Sequence, residues 1–321
     1  MHRILITGAR GQIGTDLSAV LRERDDLFVL CTDLKPPEHS PTNGLEPTDV
    51  TLDVTDRPAM RDLVERYEID AVLHLASLLS ARGEEKPDVA WDVNLGGLRN
   101  VLELAREFGL QVFWPSSIAV FGPGLDFGVA LQDSPLHPQT MYGVTKVAGE
   151  ALCNYYFHKH GVDVRSVRYP GIISHSSLPG GGTTDYAVEI FHSAAVCESY
   201  KCYLASDSAL PMMYMPDAVR GTIELMEANP DDIGIRTSYN LSGITFTPSE
   251  LVDEIRKHIT DFECTYEPDF RQEIAASWPS RIDAVEAEED WGWNHKFGLA
   301  EIAADMLEKL DPKHERLSSP L

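Results

Sequence analysis

The 321-residue sequence predicts an α/β fold built on a doubly wound parallel sheet. Short, continuous apolar runs alternate with amphipathic stretches through its first half, which is typical of parallel strands covered by helices on both faces. A glycine-rich turn separates the first apolar run from the first amphipathic stretch. With 43% hydrophobic residues, the chain also has enough apolar side chains to build a large core.

The predicted elements follow one another along the chain. The first helix is predicted from the spacing of Ile13, Leu17, Val20 and Leu21, which share one face. Residues 175–184 are rich in Ser, Gly and Pro and predict a loop. Strands are predicted at residues 3–7, 27–32, 71–75, 112–115, 164–169, 212–214 and 237–241. Helices are predicted at residues 13–24, 59–67, 93–108, 141–160, 218–228 and 248–262.

The composition excludes several classes of function. A formal net charge of −24 repels nucleic acid and anionic membrane surfaces. No apolar stretch approaches the roughly 20 residues of a membrane span, and no signal region precedes the first strand. The five cysteines are scattered and suit a reducing compartment, so we expect a cytoplasmic protein. Neither cysteines nor histidines have the spacing of metal ligands, and no metal is expected.

The glycine-rich turn is suited to binding a phosphate. It reads Gly8-Ala-Arg-Gly11-Gln12-Ile13-Gly14 and lies between the first strand and the first helix. Gly8 allows the tight turn, Gly11 lets the backbone approach a pyrophosphate, and Gly14 allows close packing of helix on strand. The free N–H groups of the helix N-terminus complete an anion site. The order of strand, loop and helix therefore predicts a Rossmann-type dinucleotide site.

Asp33 ends the second predicted strand, where an acidic side chain meets the adenosine ribose in such folds. A carboxylate there accepts hydrogen bonds from the ribose hydroxyls and repels a 2′-phosphate. We therefore expect NAD rather than NADP, although Arg10 and Lys35 lie close enough to weaken the preference.

Two domains are expected on these grounds. The NAD-binding part comprises residues 1–174, and residues 212–245 return to it. Residues 175–211 and 246–321 form a smaller substrate-binding part that is interwoven with the first, since no linker separates them.

A catalytic set is predicted from three side chains. Tyr142 and Lys146 are four residues apart on one helix and therefore share a face. A free tyrosine has a pKa of about 10, and a nearby ammonium favours its phenolate. Ser117 follows the strand at residues 112–115, at the carboxyl end of the sheet, and its hydroxyl can hold a substrate alcohol against Tyr142. Without a metal, this set predicts hydride transfer to or from a nicotinamide.

These motifs resemble the extended short-chain dehydrogenase/reductase superfamily over nearly the whole chain. The segments that carry the resemblance are TGARGQIG, LHLAS at 73–77, SSIAVFG at 116–122, YGVTK at 142–146 and RYPGIIS at 168–174. The resemblance implies that Ser117 is the active-site serine and that homodimers form through the helices at 93–108 and 141–160. It also implies cofactor contacts by Asp53, Val54, Leu75, Ala76, Ser77, Asn94, Tyr142, Lys146, Tyr169 and Ile172.

Within this superfamily, further segments look like the L-threonine 3-dehydrogenase branch. They are LLSA at 78–81, PGGGTTDY at 179–186, LPMMYMPD at 210–217 and SWPSR at 277–281. This implies oxidation of L-threonine to 2-amino-3-ketobutyrate with reduction of NAD, and functional coupling to a 2-amino-3-ketobutyrate CoA ligase. The substrate-binding residues expected from it are Ser80, Ser117, Tyr142, Gly180, Thr183, Thr184, Asp185 and Trp278.

Two other functions fit the same motifs. Nucleotide-sugar epimerases and dehydratases share the fold and the Ser/Tyr/Lys set, but they typically carry an Asn where this chain has Gly171. The acidic C-terminal half also lacks the cations that a bulky pyrophosphate ligand needs. A non-catalytic NAD sensor is the other alternative, and a sensor would have no need of Ser117, Tyr142 and Lys146.

Overall fold

The computed structural model describes residues 2–35, 48–125, 128–176 and 180–310. The strands of the first half are β1 His2–Thr7, β2 Leu27–Asp33, β3 Asp49–Thr51, β4 Ala71–His74, β5 Gln111–Ser117 and β6 Val129–Ala130. Its helices are α1 Gln12–Arg22, α2 Arg57–Arg66, α3 Ser80–Glu85, α4 Pro87–Trp91 and α5 Gly97–Phe108. The second half contributes the strands β7 Val164–Tyr169, β8 Gly171–Ile173, β9 Tyr200–Cys202, β10 Leu210–Tyr214, β11 Tyr239–Asn240, β12 Ile244–Phe246, β13 Cys264–Tyr266 and β14 Arg281–Ile282. Its helices are α6 Met141–His160, α7 Tyr186–Ala195, α8 Met215–Glu227, α9 Pro248–Arg256, α10 Phe270–Ala276, α11 Val285–Trp291 and α12 Leu299–Leu310.

A sheet of seven parallel strands organises the molecule, in the order β11-β7-β5-β4-β1-β2-β3. The order reverses between β1 and β4, so the helices cover both faces and the predicted doubly wound α/β fold is confirmed. Three smaller sheets, β12-β10-β8, β13-β9 and β14-β6, lie outside it. The carboxyl ends of β1, β4, β5 and β7 therefore meet at one edge.

Alternate residues of the central strands enter two different cores. Ile4, Ile6 and Phe113 face one cluster, which includes residues of α1 and α8. Leu5 and Trp114 face the other cluster, together with side chains from α2, α5 and α6. A third cluster lies beneath the C-terminal part, among α7, α9 and α12. Burying each large apolar side chain stabilises the fold by roughly 1.5–3 kcal/mol.

Three of the predicted elements differ from their predicted form in particular ways. The helix predicted at 93–108 begins as a π-helical turn, Asp92–Gly96, before α5, because the wider turn lets Asn94 bond outside the helix. The helix predicted at 248–262 ends at Arg256, since Phe262 turns inward to the third core. The strand predicted at 237–241 is confined to Tyr239–Asn240, the two residues that pair with β7.

The chain crosses between the sheets several times. β11 joins the large sheet, whereas β10 joins the three-stranded sheet, and α8 between them packs against α1 and β7. The two-domain boundaries expected from the sequence therefore stay a prediction, and residues 311–321 of the second part lie outside the described residues. In residues 175–176 and 180–184 the backbone forms bends and turns, without helix or strand.

The described residues contain no candidate membrane span and no candidate metal site. None of their helices has the length and hydropathy that crossing a membrane requires. No group of three or more His, Cys, Asp or Glu side chains in the same ranges is arranged to hold a metal ion.

Candidate active site

A cavity of about 510 Å³ opens at the carboxyl ends of the central strands. Its wall runs from the glycine-rich turn after β1, past Leu75 after β4 and Ser117 at the end of β5, to the residues that follow β7. The far side is closed by α3, the loop before α7 and Trp278. This volume falls within the roughly 300–1,000 Å³ that is typical of small-molecule sites.

Close packing explains two of the three glycines at the phosphate loop. Gly8 has a φ of +68°, and a Cβ there would lie 2.6 Å from the backbone N of Ala76. A Cβ on Gly14 would lie 2.7 Å from Cα of Ala9. A Cβ on Gly11, by contrast, would meet only the Gly8 carbonyl at 3.3 Å, so Gly11 presents bare backbone to the cavity.

The glycine-rich turn has the hydrogen-bond donors that a dinucleotide phosphate requires. α1 begins at the cavity wall with no side-chain cap and no acidic residue in its first turn, so its N–H groups and positive dipole end are available. The Gln12 amide nitrogen is buried without a hydrogen-bond partner among the described residues. A bound pyrophosphate would supply acceptors for these donors.

Asp33 lies behind the glycine loop. Its carboxylate accepts a hydrogen bond from the backbone N–H of Arg10 at 3.1 Å, and the Arg10 guanidinium donates to the Lys35 carbonyl at 2.9 Å. Arg10 and Lys35 both line the cavity, while Asp33 does not. The contact of Asp33 with an adenosine ribose therefore stays a prediction.

The three predicted catalytic side chains converge in the cavity wall. Ser117 is the last residue of β5, and its hydroxyl lies close enough to Tyr142 to act on the pKa of that phenol. Lys146 lies one turn after Tyr142 on α6 and donates from Nζ to the Pro115 carbonyl at 2.6 Å. Its Nζ also lies 5.3 Å from the centre of the Tyr142 ring and 4.6 Å from that of Trp114. α6 and the end of β5 thus place the hydroxyl, phenol and amine together.

Burial dominates the acid–base properties of this set. It raises the pKa of Tyr142 to about 12, although the Ser117 hydroxyl acts in the opposite direction. It lowers the pKa of Lys146 to about 7, against the attraction of Cys153 and Glu150. Burial therefore favours the neutral form of both groups.

A buried ion pair lies directly behind the catalytic set. Glu150, one turn beyond Lys146, accepts from Arg168 Nε at 2.9 Å and from its terminal nitrogen at 2.8 Å. Ser116 donates to the same carboxylate at 2.6 Å. Arg168 also donates to the Gln132 carbonyl at 2.9 Å. The network ties α6 to β5 and β7, because Ser116 and Arg168 are register neighbours on those strands.

Asn94 acts through a neighbouring segment. Its amide oxygen accepts from the backbone N–H of Leu78 at 2.7 Å and from the Ser77 hydroxyl at 3.1 Å. Its amide nitrogen donates to Thr145 at 3.2 Å, one residue before Lys146. Asn94 therefore fastens the chain after β4 to α6, and a contact with the cofactor itself stays a prediction.

The loop before α7 forms the opposite wall. The hydroxyls of Ser80 and Thr183, both buried, lie 3.3 Å apart. Asp185 accepts from the backbone N–H groups of Gly181 at 2.8 Å and Gly182 at 2.7 Å. Burial raises the pKa of Asp185, and these N–H groups oppose the shift. Asp185 thus shapes the loop with one oxygen.

The cavity brings together most of the residues that the sequence predicts. Asp53 and Val54 do not line it: Asp53 bonds Thr55 locally at 2.9 Å, and Val54 lies in a core. Tyr169 lines the wall, but its hydroxyl turns away to the Ala218 carbonyl at 3.2 Å. The predicted residues in the wall are Gly8, Gly11, Gln12, Ile13, Gly14, Leu75, Ser77, Ser80, Ser117, Tyr142, Lys146, Tyr169, Ile172, Gly180, Thr183, Thr184, Asp185 and Trp278.

Sequence reasoning missed Leu78, Leu79 and Arg82 in this wall. All three belong to, or directly follow, the LLSA segment that contains Ser80. A short helix beginning at Ser80 was not predicted there, and its first turn is what directs Arg82 toward the cavity.

Comparison with known proteins identifies the family. Residues 4–242 match the model of the NAD dependent epimerase/dehydratase family. The chain belongs to this family. A protein of Staphylococcus haemolyticus described as an uncharacterized epimerase/dehydratase is 49% identical over 320 residues, covering 98% of this chain and 99% of the relative.

The family member is also similar to solved structures. The holo form of a GalE-like L-threonine dehydrogenase from Cupriavidus necator is 51% identical, with a TM-score of 0.91 over 96% of this chain and 99% of that one. A monomeric L-threonine 3-dehydrogenase from a metagenome is 43% identical, with a TM-score of 0.91 over 97% and 99%. These findings support an NAD-dependent oxidoreductase that acts on a small molecule.

The buried ion pair generates a stability prediction for this epimerase/dehydratase family member. Replacing Arg168 with Met leaves the Glu150 carboxylate buried beside Ser116 alone, so the free energy of unfolding should fall by about 3–5 kcal/mol. Urea unfolding followed by circular dichroism measures this change. Lys201→Met is the control, since Lys201 and Glu267 form an exposed pair and its loss should change stability little. Equal stability of the two variants would contradict the role given to the pair.

Proposed function

We propose that this family member oxidises the β-hydroxyl of L-threonine to 2-amino-3-ketobutyrate with NAD. The main support is the convergence of Ser117, Tyr142 and Lys146 with the loop before α7 in one cavity beside the glycine-rich turn. Similarity to L-threonine dehydrogenases over nearly the whole chain points to the same substrate. A 2-amino-3-ketobutyrate CoA ligase would then be the natural consumer of the product.

The residues divide the chemistry between them. NAD supplies the nicotinamide that accepts the hydride from the β-carbon as the carbon–oxygen bond becomes a carbonyl. Ser117 orients the substrate hydroxyl, and the Tyr142 phenolate takes its proton. Lys146 as the ammonium stabilises that phenolate. Ser80, Thr183 and Thr184 offer hydroxyls to the polar groups of the substrate, and Trp278 closes the cavity.

The nucleotide-sugar alternative is disfavoured at one position. A Cβ on Gly171 would lie 2.8 Å from Cε of Met212 and 2.8 Å from Cβ of Thr184. The Asn that sugar-nucleotide enzymes typically carry at this point would therefore displace the loop before α7. Met212 and Thr184 occupy that space instead.

The substrate and the base are tested together by NADH formation. With L-threonine and NAD, absorbance at 340 nm should rise, and the rate should increase from neutral to alkaline pH, because burial holds the pKa of Tyr142 above its ordinary value and the phenol becomes a base only as it loses its proton. Tyr142→Phe should lower kcat by roughly 10²–10⁴-fold, since it removes that base.

Tyr155→Phe, an exposed tyrosine on the same helix, is the matched control and should retain activity. If L-threonine yields no NADH at any pH while a UDP-sugar raises Tm, the proposal is wrong and an epimerase is indicated. Tight NAD binding without turnover of any alcohol would indicate a sensor.

The cofactor preference is proposed to depend on Asp33. Asp33→Ser removes the charge that would repel a 2′-phosphate, so the ratio of kcat/KM for NAD over NADP should fall roughly 10- to 100-fold. Asp56→Ser is the control, because Asp56 caps α2 and Ser retains that cap. If the ratio is unchanged in Asp33→Ser, residues other than Asp33 discriminate between NAD and NADP.

We also propose that the protein forms a homodimer. Val89 and Trp91 on α4 and Val144 and Tyr155 on α6 are exposed apolar side chains, 39–51% accessible, on helices that contact one another. Trp91→Glu combined with Tyr155→Glu should convert a dimer to a monomer by light scattering, whereas Val285→Glu on α11 should not. A monomeric parent protein would refute this proposal.

A further inference from the structure

Arg82 is a charged side chain of the cavity wall that the catalytic set does not use. It lies on α3, two residues after Ser80. A Cβ added to Gly181 would lie 3.5 Å from Nε of Arg82 and 3.7 Å from its Cγ, so the side chain runs along the loop before α7. Its guanidinium is exposed and forms no hydrogen bond or ion pair with any residue that the structure describes.

The other basic side chains of the cavity wall lie at the cofactor end or within the catalytic set. Arg10 and Lys35 lie beside Asp33, at the adenosine end of the predicted cofactor site. Lys146 is held by the Pro115 carbonyl within the catalytic set. Arg82 is thus the remaining described cation of the wall, and it lies at the substrate end.

Two oppositely charged side chains contact the loop before α7, and both line the cavity. Asp185 holds the backbone of Gly181 and Gly182 from one side, and Arg82 lies against Gly181. A ligand that carries an ammonium and a carboxylate on one carbon matches this arrangement. A guanidinium is the side chain best suited to a carboxylate, because it donates two parallel hydrogen bonds in a planar fork.

We propose that Arg82 binds the α-carboxylate of the substrate. It would thereby restrict the enzyme to alcohols that carry a carboxylate. The buried hydroxyls of Ser80 and Thr183 lie two residues away on α3 and on the facing loop, where they would donate to the same carboxylate. This inference rests on the proposed function, since it names the group by which the same site recognises its substrate.

Steady-state kinetics of Arg82→Gln and Arg82→Lys test the assignment. In Arg82→Gln, KM for L-threonine should rise about 10- to 100-fold, the loss expected for a charge-assisted hydrogen bond. The values of kcat and of KM for NAD should stay within about twofold, because catalysis and cofactor binding use other residues. In Arg82→Lys, KM for L-threonine should lie between the values of the parent enzyme and of Arg82→Gln, since lysine keeps the positive charge but cannot donate two parallel hydrogen bonds.

Arg10→Gln is the matched control at the other end of the cavity and should raise KM for NAD without changing KM for L-threonine. The discriminating substrate is 1-amino-2-propanol, which is threonine without its carboxylate. The parent enzyme should have a much higher kcat/KM for threonine than for 1-amino-2-propanol. In Arg82→Gln, kcat/KM should fall for threonine and stay unchanged for 1-amino-2-propanol. Equal losses with both substrates, or a raised KM for NAD, would overturn the assignment.

A binding measurement separates this inference from the proposed function. Calorimetry records the affinity of L-threonine for the protein saturated with NADH, without turnover. If the parent protein binds L-threonine and Arg82→Gln does not, Arg82 holds the carboxylate whether or not threonine is oxidised. Absence of binding by the parent protein, or equal binding by both, would refute the inference.

Discussion

The Glu150–Arg168 pair is the interaction on which the geometry of the site depends. Two charges that are almost fully buried are tolerable only because each satisfies the other and because Ser116 and the Gln132 carbonyl occupy further hydrogen-bonding positions. Ser116 and Arg168 lie near the carboxyl ends of β5 and β7, and Glu150 lies on α6, whose first turns line the cavity. A shift of α6 against β5 would break these bonds, so the separation of Tyr142 from Ser117 inherits the rigidity of the network.

That rigidity has an electrostatic consequence. α6 is held so deeply that Lys146 is 2% exposed, and burial brings its pKa down to about 7 while raising that of Tyr142. The catalytic phenol and amine are both forced toward their neutral forms. Glu150 partly compensates, because its charge favours the ammonium one turn away on the same helix. Glu150 thus takes part in the ion pair that fixes α6 and also favours the charged form of Lys146.

The parts of the molecule that could be predicted from sequence are local. α6 and β7 match their predicted bounds, and the glycine loop and the Tyr142–Lys146 spacing are short patterns in the sequence. The Glu150–Arg168 pair could not be predicted, since it joins residues 18 positions apart through the tertiary fold. The π-helical turn at Asn94 likewise depends on Leu78 and Thr145, which lie far from it in sequence.

The charge of the cavity wall differs from the charge of the protein as a whole. A net charge of −24 would be expected to repel an anionic cofactor, yet the described wall of the cavity contains four basic side chains and one carboxyl group. A concave site lined by the opposite sign concentrates field lines at its mouth, so an anion can be drawn in locally while the surface as a whole repels it. Arg10 and Lys35 at one end and Arg82 at the other spread this positive potential along the cavity. The acidic surface is therefore compatible with a dinucleotide in the cavity, and Asp185 is the single carboxyl group of the described wall.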